Sequence, residues 1–170
     1  MQPVRIAVIG VGYLGRFHAQ KYAALPESQL VAVADARPDA RDKVAAEVGC
    51  RAVADYRDIL GEVDAVSIAT TTPAHFPIAQ ECLERGVHVL VEKPITETPD
   101  QARALIETAA RRGCILQVGH LERFNSAILA LEGVLGTPRF IESHRLAPFK
   151  ERGTDVNVVL DLMIHDIDLI

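Results

Sequence analysis

Gly10-Val11-Gly12-Tyr13-Leu14-Gly15 puts three glycines where a chain can turn sharply and aim backbone N–H groups at an anion. Gly10 permits the tight turn, Gly12 lets the backbone approach a pyrophosphate, and Gly15 lets a helix pack closely on a strand. About 20 residues further on, Asp35 offers a carboxylate to ribose hydroxyls and repels a 2′-phosphate, which favours NAD over NADP. Arg37, two residues later, pulls the other way. Glycines that serve only a turn are the plainer reading of the same motif.

Two further groups carry ionisable chemistry. In Glu92-Lys93-Pro94 the lysine amine suits hydrogen bonding to a substrate hydroxyl or assistance in proton removal, while a solvated lysine paired with Glu92 is the alternative. Near the end of the sequence, Asp161, His165 and Asp168 share one stripe of an otherwise apolar helical run. There Asp161 would orient His165, whose imidazole would take a proton from an alcohol as hydride leaves its carbon; a buried His–Asp hydrogen bond is the structural alternative. Thr70-Thr71-Thr72-Pro73 offers hydroxyls for a cleft or for a helix N-cap. His18, His75, His88 and His144 lack metal-ligand spacing and read as structural or surface residues, and no metal is expected.

These residues need elements to hold them. Val4–Ile9 is a short apolar run closed by glycine, a buried parallel strand. Tyr13–Leu25 follows as a helix stopped by Pro26. The alternation continues with a strand over Leu30–Ala34, a helix over Pro38–Val48, a strand over Arg51–Val53 and a helical turn over Tyr56–Leu60. Ala65–Ala69, Val87–Val91 and Ile115–Val118 are the remaining strands, with helices over Ala74–Arg85 and Thr98–Arg112. Thr98 and Gln101 have capping-box spacing.

This pattern predicts an α/β doubly wound parallel sheet, a dinucleotide-binding domain over residues 1–120. Residues 121–170 read as the beginning of an α+β substrate domain. A helix is expected over Asn125–Leu135, a strand-like run over Arg139–Leu146, a polar loop over Pro148–Asp155 and a last helix from Val156 onward. No capping signal closes that last helix, and the sequence reads as truncated within its second domain, so the 170 residues alone are expected to be inactive.

Composition narrows the class. With 18 Lys and Arg against 23 Asp and Glu, the formal charge is −5 and no basic stripe suits nucleic acid. No segment approaches the length of a membrane span, and no signal-peptide layout precedes Val4, which points to the cytoplasm. Cys50, Cys82 and Cys114 are odd in number and widely spaced, as expected of buried free thiols.

The glycine turn with His18, Asp35, Thr72-Pro73 with His75, Glu92-Lys93-Pro94, Gly119-His120 with Arg123-Phe124, and Asp161 with His165 together resemble the Gfo/Idh/MocA family of NAD(P)-dependent sugar oxidoreductases. The resemblance spans the chain. It implies a Rossmann domain followed by an open-sheet substrate domain through which the full-length protein forms homo-oligomers. It also implies that Lys93 acts at the nicotinamide, that His165 is the acid/base and that Asp161 assists. Gly10, Gly12, Tyr13, Leu14, Gly15, Asp35, Arg37, Thr70, Thr72, His75, Glu92 and Lys93 then form the cofactor-contacting set. Met163 departs from the small residue that many members carry between the Asp and the His. Segments 119–125 and 144–149 resemble a branch associated with 3-oxidation of UDP-N-acetylglucosamine, so a sugar or nucleotide sugar is the implied substrate. A non-catalytic NAD-binding sensor or partner subunit, and a dihydrodiol- or biliverdin-type reductase, are the competing readings.

Overall fold

The computed structural model describes residues 2–131, 133–146 and 157–170. Chain contacts divide it into two units, one ending at Val118 and the other beginning at Gly119.

In the first unit, runs of apolar and β-branched residues too short for helices form six parallel strands. They are β1 (Val4–Ile9), β2 (Ser28–Ala34), β3 (Arg51–Val53), β4 (Ala65–Ile68), β5 (His88–Val91) and β6 (Leu116–Val118). They pair in the order β3-β2-β1-β4-β5-β6, so the chain starts at the middle of the sheet, winds to one edge and returns to wind to the other. The register pairs Ile9 with Ala34 and Ile68, and Ile68 with Val91, which lines up the carboxyl ends of the four central strands.

Helices α1 (Tyr13–Ala24), α2 (Pro38–Val48), α3 (Thr72–Glu84) and α4 (Pro99–Arg112) connect the strands, with a 3₁₀ turn at Tyr56–Ile59. Proline occupies the first turn of α2, α3 and α4, where its missing N–H costs nothing. Thr98 and Gln101 form the expected reciprocal capping box on α4. Two apolar clusters result, as a doubly wound sheet requires. The larger gathers strand residues such as Val66, Ile68 and Val89 with Ile78, Leu83 and Leu105 of α3 and α4. The smaller packs Val8 and Val33 against Ala19 of α1 and Val44 of α2. Cys82 lies in the larger cluster and burial pushes its thiol up to about 12, whereas Cys50 and Cys114 are only partly buried; all three are free.

The second unit departs from the sequence expectation. The helix predicted over Asn125–Leu135 is α5, only Ser126–Leu129. The Asn125 side chain caps it by accepting from Ala127 N–H, but no residue of α5 is buried to sustain further turns, and Gly133 adopts φ +78° beyond it. The run Arg139–Leu146, read from the sequence as strand-like, forms no ladder among the described residues. A strand has no stability apart from a neighbour to pair with. The last helix runs through a π-helical turn, Val159–Met163, into α6 (Ile164–Leu169). This interrupts the regular α spacing on which the Asp161/His165/Asp168 stripe was laid out. The predicted loop at Pro148–Asp155, and Val156, lie outside the described residues.

Candidate functional site

The glycine turn, Asp35, Thr70–Thr72 and Glu92–Lys93 follow β1, β2, β4 and β5, so all four leave the same carboxyl edge of the sheet. The strand order reverses between β1 and β4, and in open α/β sheets ligands bind at that edge beside such a reversal.

The turn itself is sterically specified. Gly10 has φ +83°, and a Cβ there would meet Thr70 Cγ2 at 2.7 Å; a Cβ on Gly15 would stand 1.8 Å from the Gly10 carbonyl oxygen. Gly12 is different. The nearest atom to a Cβ there is Arg37 Nη2 at 3.8 Å, so the space over this glycine is not filled by the protein. Gly12 also sits at the N-cap of α1, where no side-chain cap bond forms and the first turn holds no acidic residue. The positive end of a twelve-residue helix, under a position bare of side chain, fits a pyrophosphate.

Asp35 braces this turn. Its Oδ2 accepts from Val11 N–H at 2.9 Å and its Oδ1 from Arg37 N–H at 2.9 Å, with the side chain only 11% exposed. Each carboxylate oxygen retains acceptor capacity, which suits ribose hydroxyls. The Arg37 guanidinium is solvent-facing, with Nε 3.6 Å from Asp35 Oδ1. Tyr13 is exposed and stacks edge-on with Phe17, and Leu14 is also exposed.

After β4, Thr71 occupies the N-cap of α3, but its hydroxyl makes no capping bond. Thr72 is buried, and Thr70 Oγ1 donates weakly to the Thr71 carbonyl at 3.4 Å. His75 is 1% exposed, with Nδ1 2.9 Å from the Pro94 carbonyl and Nε2 3.2 Å from the Thr70 carbonyl. The imidazole thus spans the loops after β4 and β5.

Lys93 follows directly on β5. The Glu92 carboxylate beside it is turned inward, its Oε2 accepting from Lys93 N–H at 3.3 Å and its Oε1 standing 3.1 Å from His18 Nε2. His18, read from the sequence as merely structural, therefore reaches the residue next to Lys93. Its Nδ1 lies 2.7 Å from Ser67 Oγ, fully buried on β4. Tyr22, one turn along α1, adjoins the same cluster, and its hydroxyl pKa is raised, chiefly by burial. A serine inside the apolar strand Ala65–Ile68 and a histidine on the inner face of α1 were the available signals, since each breaks the apolar pattern of its element.

The family model for the Gfo/Idh/MocA oxidoreductases with an NAD-binding Rossmann fold matches residues 4–120. The chain belongs to this family. Among its Gfo/Idh/MocA relatives is the UDP-N-acetylglucosamine 3-dehydrogenase of Acidithiobacillus ferrooxidans, 50% identical over 167 residues, which cover 98% of this chain and 53% of that protein. The crystal structure of that enzyme, GnnA, superposes with a TM-score of 0.92 over 99% of this chain and 56% of its own. The inositol 2-dehydrogenase of Rubrobacter xylanophilus is 33% identical over 97% of this chain and 50% of that protein. GenD2 of gentamicin A biosynthesis, solved in complex with NAD, is 29% identical with a TM-score of 0.77 over 79% of this chain and 39% of its own. The chain thus spans about half the length of the relatives it matches.

In the second unit of this Gfo/Idh/MocA chain, Asp168 receives Arg123 in a two-pronged pair, with Nε donating to Oδ2 at 2.8 Å, and lies 3.4 Å from His120 Nδ1. The guanidinium hydrogen bond holds the Asp168 carboxyl below its usual range. Arg145 pairs likewise with Asp166 at 3.0 Å. Asp168, grouped by sequence with His165, thus also binds the 120–123 turn, and His165 adds to the lowering of its carboxyl. Asp161 lies on the π-helical turn and His165 on α6, both half-buried. Among the described residues no cluster of His, Cys, Asp or Glu is placed to hold a metal, and no helix is long and apolar enough to cross a membrane.

Proposed function

We propose that this chain is the cofactor-binding part of an NAD-dependent dehydrogenase that oxidises the C3 hydroxyl of UDP-N-acetylglucosamine or a closely related nucleotide sugar. The observation that carries the reading is the carboxyl edge of the sheet. There the N-terminus of α1 beneath Gly12, the Asp35 carboxylate and Lys93 follow β1, β2 and β5 at one edge of the sheet. The 50% identity to the A. ferrooxidans enzyme supports the substrate.

NAD, when bound, supplies the hydride acceptor. The first-turn amides of α1 hold its pyrophosphate, and Asp35 takes the ribose hydroxyls, which excludes a 2′-phosphate and makes NAD the preferred cofactor over NADP. Tyr13, Leu14, Arg37, Thr70 and Thr72 line the approach. Lys93 donates to the reacting hydroxyl oxygen and lowers the cost of its negative charge. His165 accepts the hydroxyl proton, with Asp161 holding its ring. The free thiols fit a reducing compartment, the cytoplasm. Exposed apolar side chains of the second unit, such as Phe140 and Leu146, fit self-association of the full-length protein.

The test is NADH formation by the full-length protein from UDP-N-acetylglucosamine. Turnover should be lost in Lys93→Ala and in His165→Ala while NAD still binds. Undiminished turnover in both variants would remove the mechanism, and tighter binding of NADP than of NAD would reverse the cofactor preference.

A further inference from the structure

The two residues flanking Lys93 each lie against a histidine, one half-buried and one buried, and the two histidines come from different helices. On the N-terminal side, Glu92 is 5% exposed, bonds the Lys93 amide through Oε2 and faces His18 Nε2 at 3.1 Å through Oε1. On the C-terminal side, the Pro94 carbonyl lies 2.9 Å from His75 Nδ1. His18 comes from α1, the helix that starts at the glycine turn, and His75 from α3.

With the ring hydrogen on Nε2, His18 Nδ1 accepts from the Ser67 hydroxyl at 2.7 Å, while Nε2 stands 3.1 Å from Glu92 Oε1, off the line of a hydrogen bond. A buried carboxylate is costly unless donors face it; the Lys93 amide donates to Oε2, and the His18 imidazole is the group set beside Oε1. His75 lies between two carbonyls, those of Pro94 and Thr70; a neutral ring has one hydrogen to give, and on Nδ1 it donates to Pro94 and ties the loop after β5 to α3. Both histidines occupy positions where the inner faces of α1 and α3 otherwise carry apolar side chains.

A lysine amine rides on a four-carbon stem, so its position is no better than that of its own backbone. The end of a strand is where that backbone would otherwise drift. We propose that His18 and His75 are positioning residues that clamp the peptide on the two sides of Lys93, His18 acting through Glu92. This rests on Lys93 being the substrate-facing amine, as proposed above. The clamp also links the catalytic strand to the helix whose N-terminus meets the cofactor.

Amide side chains separate the contacts, because asparagine places its nitrogen near the histidine Nδ1 position and glutamine near Nε2. His18→Gln keeps a donor toward Glu92 and His18→Asn does not; His75→Asn keeps one toward Pro94 and His75→Gln does not. In the full-length protein, turnover of UDP-N-acetylglucosamine should therefore fall about 10- to 100-fold in His18→Asn and His75→Gln, the scale of a misplaced reacting group. The drop should appear in kcat, and His18→Gln and His75→Asn should recover most of it. In the 170-residue chain, hydrogen exchange of the Lys93 amide should quicken in the same two impaired variants and not in the other two. Equal kcat within each pair, or equal unfolding within each pair, would overturn the clamp. Absence of turnover in the unmodified protein would count against the enzyme reading alone, and the crossed exchange pattern would then decide the clamp by itself.

Discussion

The two units of this chain are held by different forces. In the first, some two dozen buried apolar side chains form two clusters on the faces of one sheet, and charged pairs decorate the outside. In the second, Gly119 is the one buried residue among those described, and the pairs Arg123–Asp168 and Arg145–Asp166 make the long-range links. Leu135, Phe140, Leu146 and Ile170 meanwhile stand well exposed. Burial of apolar area drives folding and non-local charge pairs contribute little. The first unit thus has what a domain needs to stand alone, and the second does not.

Steric contrast between glycines should break the comparison most sharply. Gly15→Ala forces a Cβ to 1.8 Å from the Gly10 carbonyl, and backbone must move on both sides. The expected result is loss of NAD binding and a destabilisation of more than about 3 kcal/mol, in the range reserved for strain and overpacking. Gly136→Ala, where a Cβ would meet nothing within 4 Å, should stay within about 0.5 kcal/mol. Urea denaturation and NAD titration of the two variants make the check, and comparable losses in both would mean that the second unit packs tightly after all.

Cavity-forming substitutions should give the next largest difference. Leu105 is fully buried in the larger cluster, so Leu105→Ala should cost about 2–5 kcal/mol and shift the urea midpoint accordingly. Leu146 is 92% exposed. Leu146→Ser should leave the midpoint in place and reduce self-association in sedimentation, since what it removes is surface and not core.

The same division explains what could be read from residues alone. β1, β4 and β5 were legible because strands buried on both faces need continuous apolar runs, and the Gly10–Gly15 turn because each glycine answers a local steric demand. Thr98 and Gln101 were legible because a capping box spans three residues. The clamp on Lys93 was not. His18 and Glu92 are far apart in sequence and meet only because β5 lies two strands from β1 in the folded order, a fact of topology. In the second unit local pattern misled. Asn125–Leu135 read as a helix and Arg139–Leu146 as a strand-like run, but neither has a buried face or a paired neighbour among the described residues to sustain it. The π-helical turn at Val159–Met163 has no sequence signature at all, and the stripe drawn at α spacing gave no sign that Asp168 also takes Arg123 as a partner.

The smallest expected effect concerns acid, and it compares one charged pair from each unit. Arg5 grips Asp64 through its guanidinium and its backbone N–H, and these bonds lower the Asp64 carboxyl from 3.8 to about 2. A carboxyl with a lowered folded-state pKa stabilises the fold fully above its unfolded value, and the gain is lost as pH falls through the folded one. Asp64→Asn should therefore weaken the first unit slightly near neutrality and converge with the unmodified protein between pH 3.8 and about 2. Arg123 lowers Asp168 in the same direction, so the pair is lost over the same acid side. Its loss should read out differently, because no core lies beneath it. Amide exchange over residues 158–170 should quicken on acidification, after correction for the intrinsic pH dependence of exchange, and Arg123→Gln should produce the same quickening at neutral pH. The strands of the first unit should keep their protection in both cases. Exchange that rises in step across both units would show a single cooperative fold, with the Asp64 and Asp168 pairs contributing to one transition and not to two.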